Sequence, residues 1–129
     1  MSDDLFYLTL SAGLYAVLWV PYILARIGQQ GLGNAVGYMA DPPEPPAWAK
    51  RAHRVHLNFL ENLAPFAALV LVAQVAGMAN EMTALGAAIF FWGRVVHAVC
   101  YYAAIPWVRT LAFAVSWLGM MLIFIEIVA

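Results

Sequence analysis

Apolar residues dominate four long stretches of this chain, and polar ones mark where each stretch stops. Leu5 to Ala25 is apolar throughout, Trp48 to Ala76 starts charged and turns apolar, and Met82 to Ile105 and Trp107 to Val128 complete the set. Each is long enough, at about 20 residues, to cross the hydrocarbon core as a helix. The pattern predicts an all-α, four-helix transmembrane bundle forming one domain over 1–129, with spans at about 5–26, 48–76, 82–105 and 107–128. Pro21 predicts a kink near the end of the first span, and Pro106 suits the first position of the fourth. The connection over 28–47 carries Gly31, Gly33 and Gly37 and then Asp41-Pro42-Pro43-Glu44-Pro45-Pro46, a stiff, extended segment. It is longer than most connections, and long loops are often functional. Gly77 to Glu81 predicts a tight turn.

The second span breaks the apolar rule in an ordered way. Arg51, Arg54, Asn58, Glu61 and Pro65 fall within an arc of roughly 80° at about 100° per residue, a polar stripe on a helix that enters lipid. Lipid cannot solvate it, so it must face other protein or a water-filled site. Composition agrees: 65% of the 129 residues are hydrophobic and 10% charged, and the mean hydropathy is +0.82, which fits an integral membrane protein surrounded by membrane lipids. The net charge of −1 offers no basic surplus for nucleic acid. The single Cys100 excludes an intrachain disulfide framework. The acidic start, Asp3-Asp4, is unlike the basic beginning of a cleaved signal peptide, so the first span is expected to be retained.

With four spans, both termini and the 77–81 turn share one side, which carries no Lys or Arg outside the membrane. Arg26, Lys50, Arg51, Arg54 and Arg109 collect on the other, which the positive-inside rule makes cytoplasmic together with the long first loop. Both termini are then non-cytoplasmic.

All four helices deliver polar residues to that basic end: Arg26, then Arg51, Arg54 and Asn58, then Tyr101 and Tyr102, then Arg109 and Thr110. Glu61 and His97 lie about 10–12 Å deeper, and Arg94 deeper still. Arg94, His97 and Tyr101 share a helix face at i, i+3 and i+7. The result is an electropositive pocket suited to a hydrophilic anion beside an apolar compound dissolved in the bilayer. A helix start beside Arg109 and Thr110 would favour a thiolate, a carboxylate or a phosphate alike. Arg94 and Glu61, at compatible depth, are expected to form a structural pair. His97 reads equally as pocket wall or satisfied core histidine, and Tyr102 as an interfacial belt residue. His53 and His56 lack the further histidines a metal site would need, so no metal is expected.

Arg51-x-x-Arg54-x-x-x-Asn58-x-x-Glu61-Asn62-x-x-Pro65-Phe66 resembles the signature of the MAPEG family, the membrane-associated proteins in eicosanoid and glutathione metabolism, in its bacterial type. Gly93-Arg94-Val95-Val96-His97, followed by Tyr101, and Pro106-Trp107-Val108-Arg109-Thr110 resemble the family's third and fourth helices. The resemblance implies a homotrimer that binds glutathione as co-substrate between neighbouring subunits. It implies that Arg54, Asn58, Glu61, His97 and Tyr101 hold the tripeptide, with Arg51 and Arg26 as outer contacts, and that Arg109 with Thr110 stabilises the thiolate. Leu57 stands where many glutathione-using members carry an arginine. The expected function is a glutathione-dependent transferase or peroxidase acting on lipophilic electrophiles or hydroperoxides. The alternative is a non-catalytic or regulatory membrane protein of the same fold. A small proton-coupled exporter ranks last, because the first span holds no acid between Leu5 and Ala25.

Overall fold

A computed structural model describes residues 1–129, and every regular element in it is a helix. In chain order these are α1 (Asp3–Val17), α2 (Val20–Gln30), α3 (Leu32–Val36), α4 (Ala47–Val75), α5 (Glu81–Tyr102) and α6 (Pro106–Val128). The pair α1–α2, and α4, α5 and α6 singly, are four segments long and apolar enough to cross a membrane. The protein is thus an integral membrane protein built as a helical bundle.

The first crossing is broken where Pro21 dictates. Pro21 has no N–H to offer the Val17 carbonyl and its ring crowds that oxygen, so α1 ends at Val17. The Leu18 N–H falls back on Tyr15 O at 3.2 Å before the helix restarts. The restarted helix runs on to Gln30, past the expected boundary at 26, and the short α3 occupies part of the long connection. The proline run stays extended up to Pro46, which starts α4 from a polyproline-like φ of −62° and ψ of 157°. At 29 residues α4 is about 43 Å long, more than the ~30 Å hydrocarbon core requires, so its charged first turns project beyond it. α5 stops at Tyr102 rather than Ile105. Ala104 takes a positive φ of 59°, and Ile105 is extended (φ −101°, ψ 99°) because a residue preceding proline avoids the helical region.

Small residues set the tightest packing. A Cβ on Gly86 would lie 2.6 Å from the Gly119 carbonyl, and one on Gly119 would lie 2.6 Å from the Gly86 carbonyl and 2.8 Å from the Phe90 nitrogen. Gly93 meets Ser116 in the same way. α5 and α6 therefore approach backbone to backbone, as small-residue interfaces do in lipid. α1 and α4 pack on α5 as well; Phe66, Val70, Ala87, Phe90, Met120 and Ile123 form a core shared by α4, α5 and α6, and Leu18, Val55, Phe59 and Ala98 form a second cluster. Phe66 and Phe90 stack at 3.8 Å between ring centroids.

The termini and the 77–81 turn meet at one end of the bundle. Asn80 caps α5, its Oδ1 accepting from the Met82 and Thr83 N–H groups at 2.9 Å each, while its own N–H donates to Thr83 Oγ1. The Thr83 hydroxyl reaches Asp4 Oδ2 at 3.2 Å, Asn80 Nδ2 donates to Glu126 Oε2 at 2.7 Å, and Gln74 Nε2 donates to Ser2 Oγ at 3.1 Å. These contacts tie together the starts of α1 and α5 and the ends of α4 and α6. The polar residues of the candidate site lie toward the opposite end.

Candidate functional site

The buried face of α4 is centred on Ala52, Val55, Phe59, Phe66, Val70 and Ala73. Asn58 sits at the edge of that face, and on α5 Arg94 faces it. Arg94 is 0% exposed, and its Nη2 donates to Asn58 Oδ1 at 2.6 Å. Its guanidinium lies 5.1 Å from the centre of the Phe59 ring and 5.9 Å from that of Phe113, an aromatic sandwich that partly replaces lost hydration. Nε and Nη1 of Arg94 have no protein partner. One turn along α5, His97 is 3% exposed. Its ring meets Tyr101 edge to face at 5.4 Å and Phe113 at 6.2 Å, and its Nδ1 is likewise unpartnered.

Arg109 enters from the start of α6. Its guanidinium lies 4.9 Å from the centre of the Tyr101 ring, and the residue is half-buried. Pro106 opens that helix, so the positive end of its dipole lies within a turn of Arg109. Thr110 is exposed, and its hydroxyl donates back to the Pro106 carbonyl at 3.0 Å. Asn58, Arg94, His97, Tyr101 and Arg109 thus form one continuous inner cluster, walled by Phe59 and Phe113. Two cations and two aromatic side chains with polar edges suit a ligand with an anionic group and a thiol or hydroxyl. Arg51 borders this cluster, its Nη2 donating to the Tyr102 carbonyl at 3.3 Å, where a cation complements the C-terminal end of α5.

The expected pairing of Arg94 with Glu61 is corrected. Arg94 binds Asn58 instead, and Glu61 is exposed with no ion pair in the chain. Depth alone made the two compatible. Three residues beyond Asn58, however, the helix has turned by about 300°, which carries the Glu61 carboxylate off the face toward α5. Pro65 adds to the polarity there, since it leaves the Glu61 carbonyl without its helical donor.

Arg26 and Arg54 also leave the inner cluster. They line a separate cavity of about 450 Å³ with Tyr22, Gln29, Lys50 and His53, roofed by Pro42, Pro43 and Pro45. There Lys50 pairs with Glu44 and Gln29 Nε2 donates to the Glu44 carbonyl at 2.6 Å. The hydrogen bond and charge of Lys50 hold the Glu44 carboxyl below the usual carboxylate range. His53 and His56 pack instead against Tyr22, whose hydroxyl is 2.9 Å from His56 Nδ1.

The polar stripe of α4 is therefore split, with Arg51 and Asn58 turned to α5 and Arg54 and Glu61 turned outward. The aromatic walls Phe59 and Phe113 were not singled out from the sequence. Their signal was there: Phe59 adjoins Asn58, and Phe113 lies four residues after Arg109, one helical turn away. None of the curated proteins matches this sequence. The model of the MAPEG family matches residues 8–129, nearly the whole chain. The chain belongs to the MAPEG family, the membrane-associated proteins in eicosanoid and glutathione metabolism.

Proposed function

We propose that the protein is a glutathione-dependent membrane transferase or peroxidase acting on lipophilic electrophiles or hydroperoxides. The observation that carries this reading is the placement of Arg109 over Tyr101, at the start of α6 and one turn of α5 from the buried His97. The inner cluster fits the tripeptide because it holds donors without protein partners, Arg94 Nε and Nη1 among them, next to a guanidinium at a helix start. In this reading Asn58, Arg94, His97 and Tyr101 bind and orient the tripeptide. Arg109 and the α6 dipole lower the pKa of its thiol from about 8.5, so that the proton is released to water and the thiolate persists at neutral pH. The Thr110 hydroxyl hydrogen is held by Pro106, which leaves Arg109 as the main stabiliser. Arg51 contributes at the rim, and Glu61 and Arg54 can join only through their outward face, toward a neighbouring subunit of a homotrimer.

The sulfur would attack an electrophilic carbon, displacing halide from an aryl halide or adding to an unsaturated carbonyl compound, whose enolate then takes a proton from water. With a hydroperoxide, one tripeptide thiolate attacks oxygen and releases an alcohol. A second tripeptide then gives the disulfide and water. The basic end, with the long loop, is cytoplasmic and both termini non-cytoplasmic. The test is turnover by purified protein across a panel of aryl halides, unsaturated carbonyl compounds and lipid hydroperoxides. Glutathione-dependent turnover that falls at least tenfold in Arg109→Ala is expected, and absence of turnover on every member would refute the enzymatic reading.

A second reading, a binding protein of the same fold without chemistry, is favoured by Leu57. It is 46% exposed on the outer face of α4 and brings no cation to the inner cluster. Saturable glutathione binding without turnover is the outcome that reading expects.

A further inference from the structure

No charged residue lies between Arg26 and Asp41, and the segment over 31–40 carries Leu32, Val36, Tyr38 and Met39. α3 buries none of its residues. Leu32 and Val36, one helical turn apart, are 63% and 74% exposed, Met39 is exposed and Tyr38 wholly so. The polar side chains nearby turn the other way. Gln29 Nε2 donates to the Glu44 carbonyl at 2.6 Å, the Gln30 amide oxygen is buried, and Asn34 Nδ2 donates to the Gln30 carbonyl at 3.1 Å. Polar groups that fold back while apolar ones point out reverse what water selects in a loop.

The position of the segment says what covers it. α1 and α2 together make one crossing of 28 residues, Asp3–Gln30, about 42 Å of helix against a hydrocarbon core of ~30 Å. With Asp3 in the opposite headgroup layer, the last turn of α2 lies at or just above this boundary. Gly31 (φ 82°, ψ 156°) then turns the chain off the α2 axis, a conformation that glycine adopts readily and other residues do not. Leu32 therefore starts at headgroup depth. The apolar face continues one already in lipid, since Leu24, two turns before Gly31, is exposed too. Tyr38 suits an interface, where its ring is sheltered and its hydroxyl stays wet. A protein partner fits less well, because four side chains offer less than the ~800 Å² per partner that a stable interface buries.

We propose that Leu32 to Met39 form an interfacial foot, its apolar face set into the headgroup and upper acyl region of the leaflet where α2 emerges. The long connection is then held at two points, in lipid at Met39 and on the protein at Glu44, through Gln29 and Lys50. The test is spin-label accessibility in the full chain, reconstituted in phospholipid vesicles, with Cys100→Ala leaving a single thiol. Labels at Val36→Cys, Tyr38→Cys and Asn34→Cys are each exposed to oxygen, which concentrates in lipid, and to a water-soluble nickel chelate. Asn34 is the control, about 200° around α3 from both Leu32 and Val36. The ratio of oxygen to nickel accessibility should be higher at 36 and 38 than at 34 by about threefold or more, as for a face sunk into the acyl boundary beside one left in water. Water-like ratios at 36 and 38, or equal ratios at all three positions, would overturn the proposal. Protection of 36 and 38 from both probes would overturn it too, and would mean that a second copy of the chain covers the face. Positions 36 and 38 are separate variants, so failure of one to fold leaves the other as the test.

Discussion

Arg94 is the most demanding side chain in this molecule, a guanidinium with 0% exposure inside a membrane-spanning helix. Its one strong contact is Asn58 Oδ1. Asn58→Ala would leave it buried with no hydrogen-bond partner, a loss of about 1.5–3 kcal/mol, the range for a hydrogen bond to a charged group. Thermal unfolding in detergent should show that loss, whereas Glu61→Gln should leave the melting point nearly unchanged. The reverse ranking would restore the Arg94–Glu61 pair. Arg109 makes a different prediction. Arg109→Ala should weaken thiolate formation more than tripeptide binding, because Asn58, Arg94, His97 and Tyr101 remain to hold the ligand. A parallel loss of both would make Arg109 a binding residue only. Helical periodicity correctly put Arg94, His97 and Tyr101 on one side of a helix. It could not say that Asn58 rather than Glu61 answers Arg94, because that depends on how α4 is rotated against α5.

At the scale of elements, the bundle depends on contacts too close for side chains. A Cβ at Gly119 would sit 2.6 Å from the Gly86 carbonyl. Gly119→Ala should therefore force α5 and α6 apart and cost roughly 1–3 kcal/mol, the usual range for overpacking. Gly13, where an added Cβ would meet nothing within 4 Å, is the control: Gly13→Ala should be neutral or stabilising by up to about 1 kcal/mol. Asn80→Ala removes the α5 cap and the link to Glu126. It should cost about 1 kcal/mol or somewhat more. The proline loop carries the one pH-sensitive strut. Its carboxyl, Glu44, is held low by Lys50, so the strut is in place above the ordinary carboxylate range and is lost as the pH falls through the lowered value. A spin label at Ala40 should stay restrained at neutral pH and gain mobility only on strong acidification, whereas in Lys50→Gln it should be mobile at neutral pH already. The breaks at Pro21 and Pro106 were legible because proline chemistry is local. The glycine contacts were not, since Gly86, Gly93 and Gly119 acquire meaning only when α5 and α6 are brought together.

At the scale of the molecule, only 24 of 129 residues are buried, so most of the apolar surface is turned outward. That is what a small membrane bundle requires, and its length and hydropathy alone announced the four crossings. The split of the polar residues into an inner cluster and an outer cavity was harder to foresee. A stripe of roughly 80° looks like one surface on a helical projection, yet its two edges face different neighbours once α2 and α5 both pack on α4. The inner cluster carries the proposed chemistry, and it makes one demand above others, that a bound thiol lose its proton at neutral pH. The most direct measurement is ultraviolet absorbance of the thiolate as purified protein in detergent is titrated with glutathione. A saturable thiolate signal at neutral pH, lost in Arg109→Ala, is the expected result. No signal from folded wild-type protein, or an undiminished one in that variant, would contradict it.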